Sequence, residues 1–134
     1  MNSKVYNKAY QFAIRIVNAY KHLYKEKKEF VLSKQLLRSG TSIGANIAEA
    51  NGRATPRRRK AQGNARGAIS KADFRAKMSI AYKECLEAKY WLSLLKDTGY
   101  INENAFASIY GDAEEISKML CKILKTTNSS LNDK

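Results

Sequence analysis

The chain of 134 residues has one histidine, one proline and two cysteines. His22 has no cysteine or carboxylate pair near it at ligand spacing, which argues against a zinc site and against a histidine-dependent triad. Neither GxxxxGK[ST] nor GxGxxG occurs, so the two common phosphate-cradling loops are absent from the sequence. Cys85 and Cys121 are too few for a disulfide framework and point to a reducing, cytoplasmic location. Seven glycines and a single proline argue against an all-β fold built on many tight turns. No apolar run reaches the roughly 18–20 residues of a membrane span. The opening MNSKVYNKAY lacks the apolar stretch of a signal peptide. Acidic residues are scarce: 12 Asp and Glu stand against 25 Lys and Arg, a net charge of +13. The expectation is a protein without catalytic residues, cofactor, metal or small-molecule substrate, whose partners are chosen by charge.

What the sequence does hold is helical periodicity, enough for one domain across residues 1–134. The first helix is expected over Lys4–Lys27, with Val5, Ala9, Phe12, Ile16 and Leu23 on one stripe. Tyr6, Tyr10, Ala13, Val17, Tyr20 and Tyr24 form a second stripe beside it. The tyrosine-rich arc suits either intrachain core or a half-wet contact with another subunit, Tyr6, Tyr10 and Tyr20 being the candidate contacts. A second helix is expected over Phe30–Ala50, with Leu32, Leu36, Ile43 and Ile47 inward. Gly40 and Gly44 lie four apart on one face. Glycine inside a helix costs about 1 kcal/mol against alanine, which makes sense where another helix approaches closely. The alternative is a break near Ser39–Thr41.

The third helix is expected from Lys71 to Thr98, opened by the S-x-x-D spacing of Ser70 and Asp73 and stopped by Gly99. Phe74, Met78, Ala81, Cys85, Ala88, Leu92 and Leu95 form its ridge, widened by Tyr82, Leu86 and Trp91. The fourth begins near Asn102 or Asn104 and is expected to end near Lys125, with a frayed tail over 127–134. Short connections favour antiparallel neighbours, so the expected architecture is all-α: an up-down-up-down four-helix bundle.

Between the second and third helices stands NGRATPRRRKAQGNARGA, with Arg53, Arg57, Arg58, Arg59, Lys60 and Arg66 and no acidic residue. Six of the excess positive charges thus sit in one connection that has no large apolar side chain to bury. Arginine's planar fork matches phosphate oxygens, so this run is the first candidate for a nucleic-acid contact, with RNA ahead of DNA. The plain alternative is a solvated loop. Lys4, Lys8, Arg15, Lys71 and Arg75 are candidates for a second basic surface. Arg38 is a candidate for close helix packing or a subunit contact with Gly40 and Gly44, pairing with Glu84 or Glu87.

The stretches KKEFVLSKQLLRSGTSIGANIAEA and SKADFRAKMSIAYKECLEAKYWLSLLKDTGYI, with AYQFAIRIVNAY before them, strongly resemble the four-helix-bundle family of ribosomal-RNA intervening-sequence proteins. That family more distantly resembles the accessory protein of diversity-generating retroelements, a basic bundle that forms a pentameric barrel and binds nucleic acid and a reverse transcriptase. The resemblance implies a homopentamer and a non-enzymatic role around structured RNA, with a protein partner as the other possibility. One departure stands out. The family pattern passes almost directly from IAEA to the SKADF-like start of the third helix, so about 15 residues within Gly52–Gly67 read as inserted. The flanks NGRA and NARGA resemble one another, as a duplication or an engineered graft would leave them.

Overall fold

The computed structural model describes residues 3–52 and 70–132, with side-chain surroundings for 4–52 and 70–127. Four α-helices account for nearly all of it: α1 (Ser3–Lys25), α2 (Leu32–Ala50), α3 (Lys71–Asp97) and α4 (Glu103–Asn132). No strand occurs among the described residues. Each helix packs on its neighbours in sequence, and α1 meets α4 to close a four-cornered bundle.

Side-chain pairs give the direction of every seam. Lys8 meets Glu115 and Arg15 meets Asp112 between α1 and α4. Glu49 near the end of α2 meets Lys77 near the start of α3, and between α3 and α4 Cys85 meets Ala113 while Lys96 lies over the Phe106 ring. A Cβ on Gly40 would reach Ile16, and one on Gly44 would reach Ala9. Higher numbers on one helix pair with lower numbers on the next, so adjacent helices run antiparallel.

The inward stripes follow the apolar periodicity. Val5, Ala9, Phe12, Ile16 and Leu23 of α1 are at most 1% exposed. Met78, Ala81, Cys85, Ala88, Leu92 and Leu95 carry the α3 ridge inward, while Ile109, Ala113, Ile116 and Leu120 do so for α4. Burial of this kind supplies most of the stability of helices that are marginal alone. The tyrosine arc of α1 behaves differently: Tyr10 and Tyr24 stay about half exposed, so it is not intrachain core throughout. Leu86 also departs from the expected ridge and faces outward at 42% exposure.

Helix α2 runs unbroken through Ser39–Thr41, because Gly40 lets Ile16 of α1 lie directly over its backbone. It starts at Leu32, two residues later than expected, on an unusual cap. The buried Glu29 carboxylate accepts the N–H groups of Val31, Leu32 and Ser33 at 2.6–3.2 Å, and the Ser33 hydroxyl donates to the Glu29 carbonyl. Just before it, Lys28 holds a left-handed φ of 56°. Ser70 caps α3 by accepting from the Asp73 N–H at 3.0 Å, as its spacing foretells. Gly99, with φ of 88°, ends that helix as the Gly99 and Tyr100 N–H groups return to the Lys96 and Leu95 carbonyls. Helix α4 continues to Asn132, past the stop expected at Lys125; no glycine or proline interrupts it there.

Burial disfavours charge on Glu29, but the N–H groups of Leu32, Ser33 and Val31 outweigh it and hold the carboxyl below its ordinary value of 4.5. The folded pKa is therefore the lower one. The stabilisation is complete above the unfolded value and is lost as pH falls through the folded one. Glu29→Gln is expected to lower stability by about 0.5–2 kcal/mol at neutral pH, as a lost helix cap does. Thermal melts of both proteins at about pH 7 and about pH 3 check this: the gap should narrow in acid.

Candidate nucleic-acid interface

The antiparallel register gathers charge at one end of the bundle. The start of α1, the end of α2, the start of α3 and the last turns of α4 all lie there, which is also where the chain leaves α2 and enters α3. This end carries Lys4 on α1, Lys71 and Arg75 on α3, and the exposed Lys118, Lys122 and Lys125 on α4. The three α4 lysines follow an i, i+4, i+7 spacing and share one exposed face. Several local acids are already engaged: Glu49 binds Lys77 at 2.9 Å and Glu115 binds Lys8 at 2.9 Å.

Two polar groups at the mouth of the connection lack partners among the described residues. Both side-chain amide atoms of Asn51, at the C-cap of α2, are shielded without a hydrogen bond, and so is Nε of Arg75. Shielded donors of this kind normally find an acceptor. The connection's own Arg53, Arg57, Arg58, Arg59, Lys60 and Arg66 lie outside the described residues.

The sequence-predicted cations divide. Lys4 stays exposed and Arg75 half-exposed at the basic end. Lys8 and Arg15 stand instead in the α1–α4 seam. Arg15 donates to Asp112 at 2.7 Å and to the Ser108 hydroxyl at 2.9 Å. The hydrogen bond to Glu115 raises the Lys8 pKa against a smaller desolvation penalty. These two cations are spoken for by carboxylates of the same chain, and their visible work is to join α1 to α4. Arg38 makes no ion-pair contact with Glu84 or Glu87; the Glu87 carboxylate instead accepts the Trp91 indole N–H at 3.0 Å. Glu84 is raised by burial and by the charge of Glu87, with Arg38 opposing at longer range.

Nucleophile chemistry gains nothing from the surroundings of Cys85. The Cys85 thiol donates to the Ala113 carbonyl at 3.2 Å, and burial pushes its pKa up to about 12, so it stays a packed thiol. Lys89 is buried enough to disfavour its charge, yet its bond to Glu114 at 3.0 Å holds the pKa above the ordinary value. No group of three or more His, Cys, Asp or Glu side chains comes together among the described residues. No described helix is long and apolar enough to cross a membrane.

The family model of the 23S rRNA-intervening sequence protein matches residues 1–65 and 60–122. The chain belongs to that family. The two matched segments meet inside the α2–α3 connection. The chain is also similar to a protein with unknown function from the S23 ribosomal protein family of Bacteroides thetaiotaomicron, known from a crystal structure. The two are 50% identical, with a TM-score of 0.74 over 90% of this chain and 98% of that one. Comparison with curated proteins returned no match. For this member of the intervening-sequence family, sequence reasoning missed Lys118, Lys122 and Lys125 as part of the basic end. Their spacing was the available signal; the helix register that places them beside Lys4 and Lys71 was not.

Proposed function

We propose that this protein is a non-enzymatic, oligomeric helical bundle that binds structured RNA by phosphate contacts at its basic end. The observation that supports this most is the convergence of Lys4, Lys71, Arg75, Lys118, Lys122 and Lys125 on the end from which the arginine-rich connection departs. A cluster of this sign attracts a polyanion and gains affinity by releasing its counterions. Phosphate contacts carry little sequence information, so DNA is expected to bind as well. Two free thiols suit the reducing cytoplasm in which RNA is met. Replacing Lys118, Lys122 and Lys125 together by Gln should weaken retention of a folded RNA by at least about tenfold at moderate salt, evenly across RNA sequences, and flatten its salt dependence. Unchanged affinity would remove α4 from the interface.

A second reading, a scaffold for protein, is favoured by the apolar surface of the isolated chain. Tyr10 and Ile14 flank a shallow 250 Å³ cleft on α1, and Ile80, Leu86 and Tyr90 are exposed on α3 at another corner. Two different patches that meet head to tail form a ring when the rotation between subunits closes, which suits the homopentamer that the family resemblance implies. Light scattering at micromolar concentration is expected to give a mass several times 15.1 kDa. A monomer would contradict the ring and the scaffold alike.

A further inference from the structure

The end of the bundle opposite the arginine-rich connection carries a row of aromatic rings that the phosphate-binding reading does not use. Tyr20 and Tyr24 lie one turn apart on α1 with ring centroids 5.8 Å apart. Phe30 sets its ring against Tyr24 at 4.8 Å and 66°, edge to face. Tyr24 is 43% exposed and Phe30 46%.

The backbone around Phe30 is firmly held. Lys28 takes up a left-handed conformation that non-glycine residues avoid. The Glu29 N–H returns to the Leu23 carbonyl at 3.0 Å, and the Glu29 carboxylate fixes the N–H groups of Val31, Leu32 and Ser33. Phe30 thus stands between two anchored neighbours, presented to solvent by a rigid frame. Intrachain packing gives no reason to hold a phenylalanine half outside.

The charge beside the rings is mostly positive. Lys21, Lys25 and Lys28 are exposed beside them, and none of the three forms an ion pair with a described residue. Glu26 is the one exposed acid within residues 20–30, since Glu29 is buried in its cap. Half-exposed rings ringed by lysines are complementary to a ligand that offers flat faces on a phosphate backbone.

We infer that Tyr24 and Phe30, buttressed by Tyr20, form a stacking platform for unpaired bases of RNA, with Lys21, Lys25 and Lys28 holding the adjoining phosphates. This rests on the RNA-binding reading and extends it. The basic end grips backbone whether paired or not, while the aromatic end takes only bases free of a partner. Base stacking on an aromatic ring is sequence-tolerant, so the platform prefers single strands over duplexes without preferring one sequence.

The test uses the full chain and two labelled probes, an oligouridylate and a fully paired RNA duplex. The double variant Tyr24→Ala with Phe30→Ala should bind the oligouridylate at least about tenfold more weakly, with duplex affinity within about twofold of the parent. The double variant Tyr24→Leu with Phe30→Leu keeps apolar bulk without a π face and should lose as much. Full binding by the leucine variant, or equal loss on both probes, overturns the platform while leaving the basic end intact. So does a change in the variants' oligomeric state by light scattering, which would make the rings a subunit contact. If the parent protein binds neither RNA, both readings fall.

Discussion

Replacing Gly40 by leucine is expected to lower the free energy of unfolding by about 3 kcal/mol, while alanine at Gly44 is expected to raise it. The two glycines stand one turn apart on the same face of α2, yet their surroundings differ. A Cβ on Gly40 would lie 2.8 and 2.9 Å from Cγ1 and Cγ2 of Ile16. Ile16 is fully buried, and those atoms belong to the branched base of its side chain, so it has nowhere to retreat. At Gly44 the nearest atoms belong to Ala9 at 3.8 Å, an ordinary contact. Alanine there keeps the packing and gains up to about 1 kcal/mol of helix propensity. At Gly40 the same gain is offset by overpacking, for a net loss of about 1–2 kcal/mol for Gly40→Ala. Denaturant unfolding of the three variants checks the signs. Equal stabilisation by alanine at both positions would mean that α1 and α2 do not meet as tightly as described.

The larger effect on function is expected from the connection. Exchanging Arg53, Arg57, Arg58, Arg59, Lys60 and Arg66 for glutamine removes six of the 25 basic residues without touching any described helix. Each phosphate contact contributes roughly 0.7–0.9 to the slope of log affinity against log salt, so losing several of six contacts should flatten that slope by several units. Affinity for a structured RNA should fall by at least about 100-fold at moderate ionic strength. Far-UV circular dichroism should not change, because the helices owe their stability to cores elsewhere. In an oligomer the connection is repeated in every subunit, and linked weak contacts amplify the loss. Equal affinity before and after the exchange would assign the connection to solvent and leave the helix termini as the interface.

How much of this was legible in the sequence depended on whether the signal was local. The stripe from Val5 to Leu23 could be read directly, because helical periodicity is written within one segment and each residue on it is buried. The Ser70–Asp73 cap and the Gly99 stop were also readable, since each is complete within a few residues. Glu29 was not, because it caps α2 from outside the usual Ser, Thr, Asp or Asn position. Lys8 and Arg15 show most clearly what a single segment cannot reveal. On α1 alone they form part of a polar face indistinguishable from a binding surface. Their partners arrive from α4, 97 residues away in the case of Asp112, and only the folded register shows the cations already engaged. Leu86 failed for a related reason: it continues the apolar run of α3 but turns past the edge of the seam. The basic end was half legible, its charge being plain in the connection and its α4 contribution depending on how the helices align.

We propose that the bundle's concentrated positive charge serves to hold polyphosphate. Its most direct test is the affinity of the full-length protein for one folded RNA across a series of salt concentrations. Tight binding is expected in dilute buffer, with a straight decline on a double-logarithmic plot whose slope corresponds to several phosphates. A flat plot, or no binding even at low salt, would contradict it.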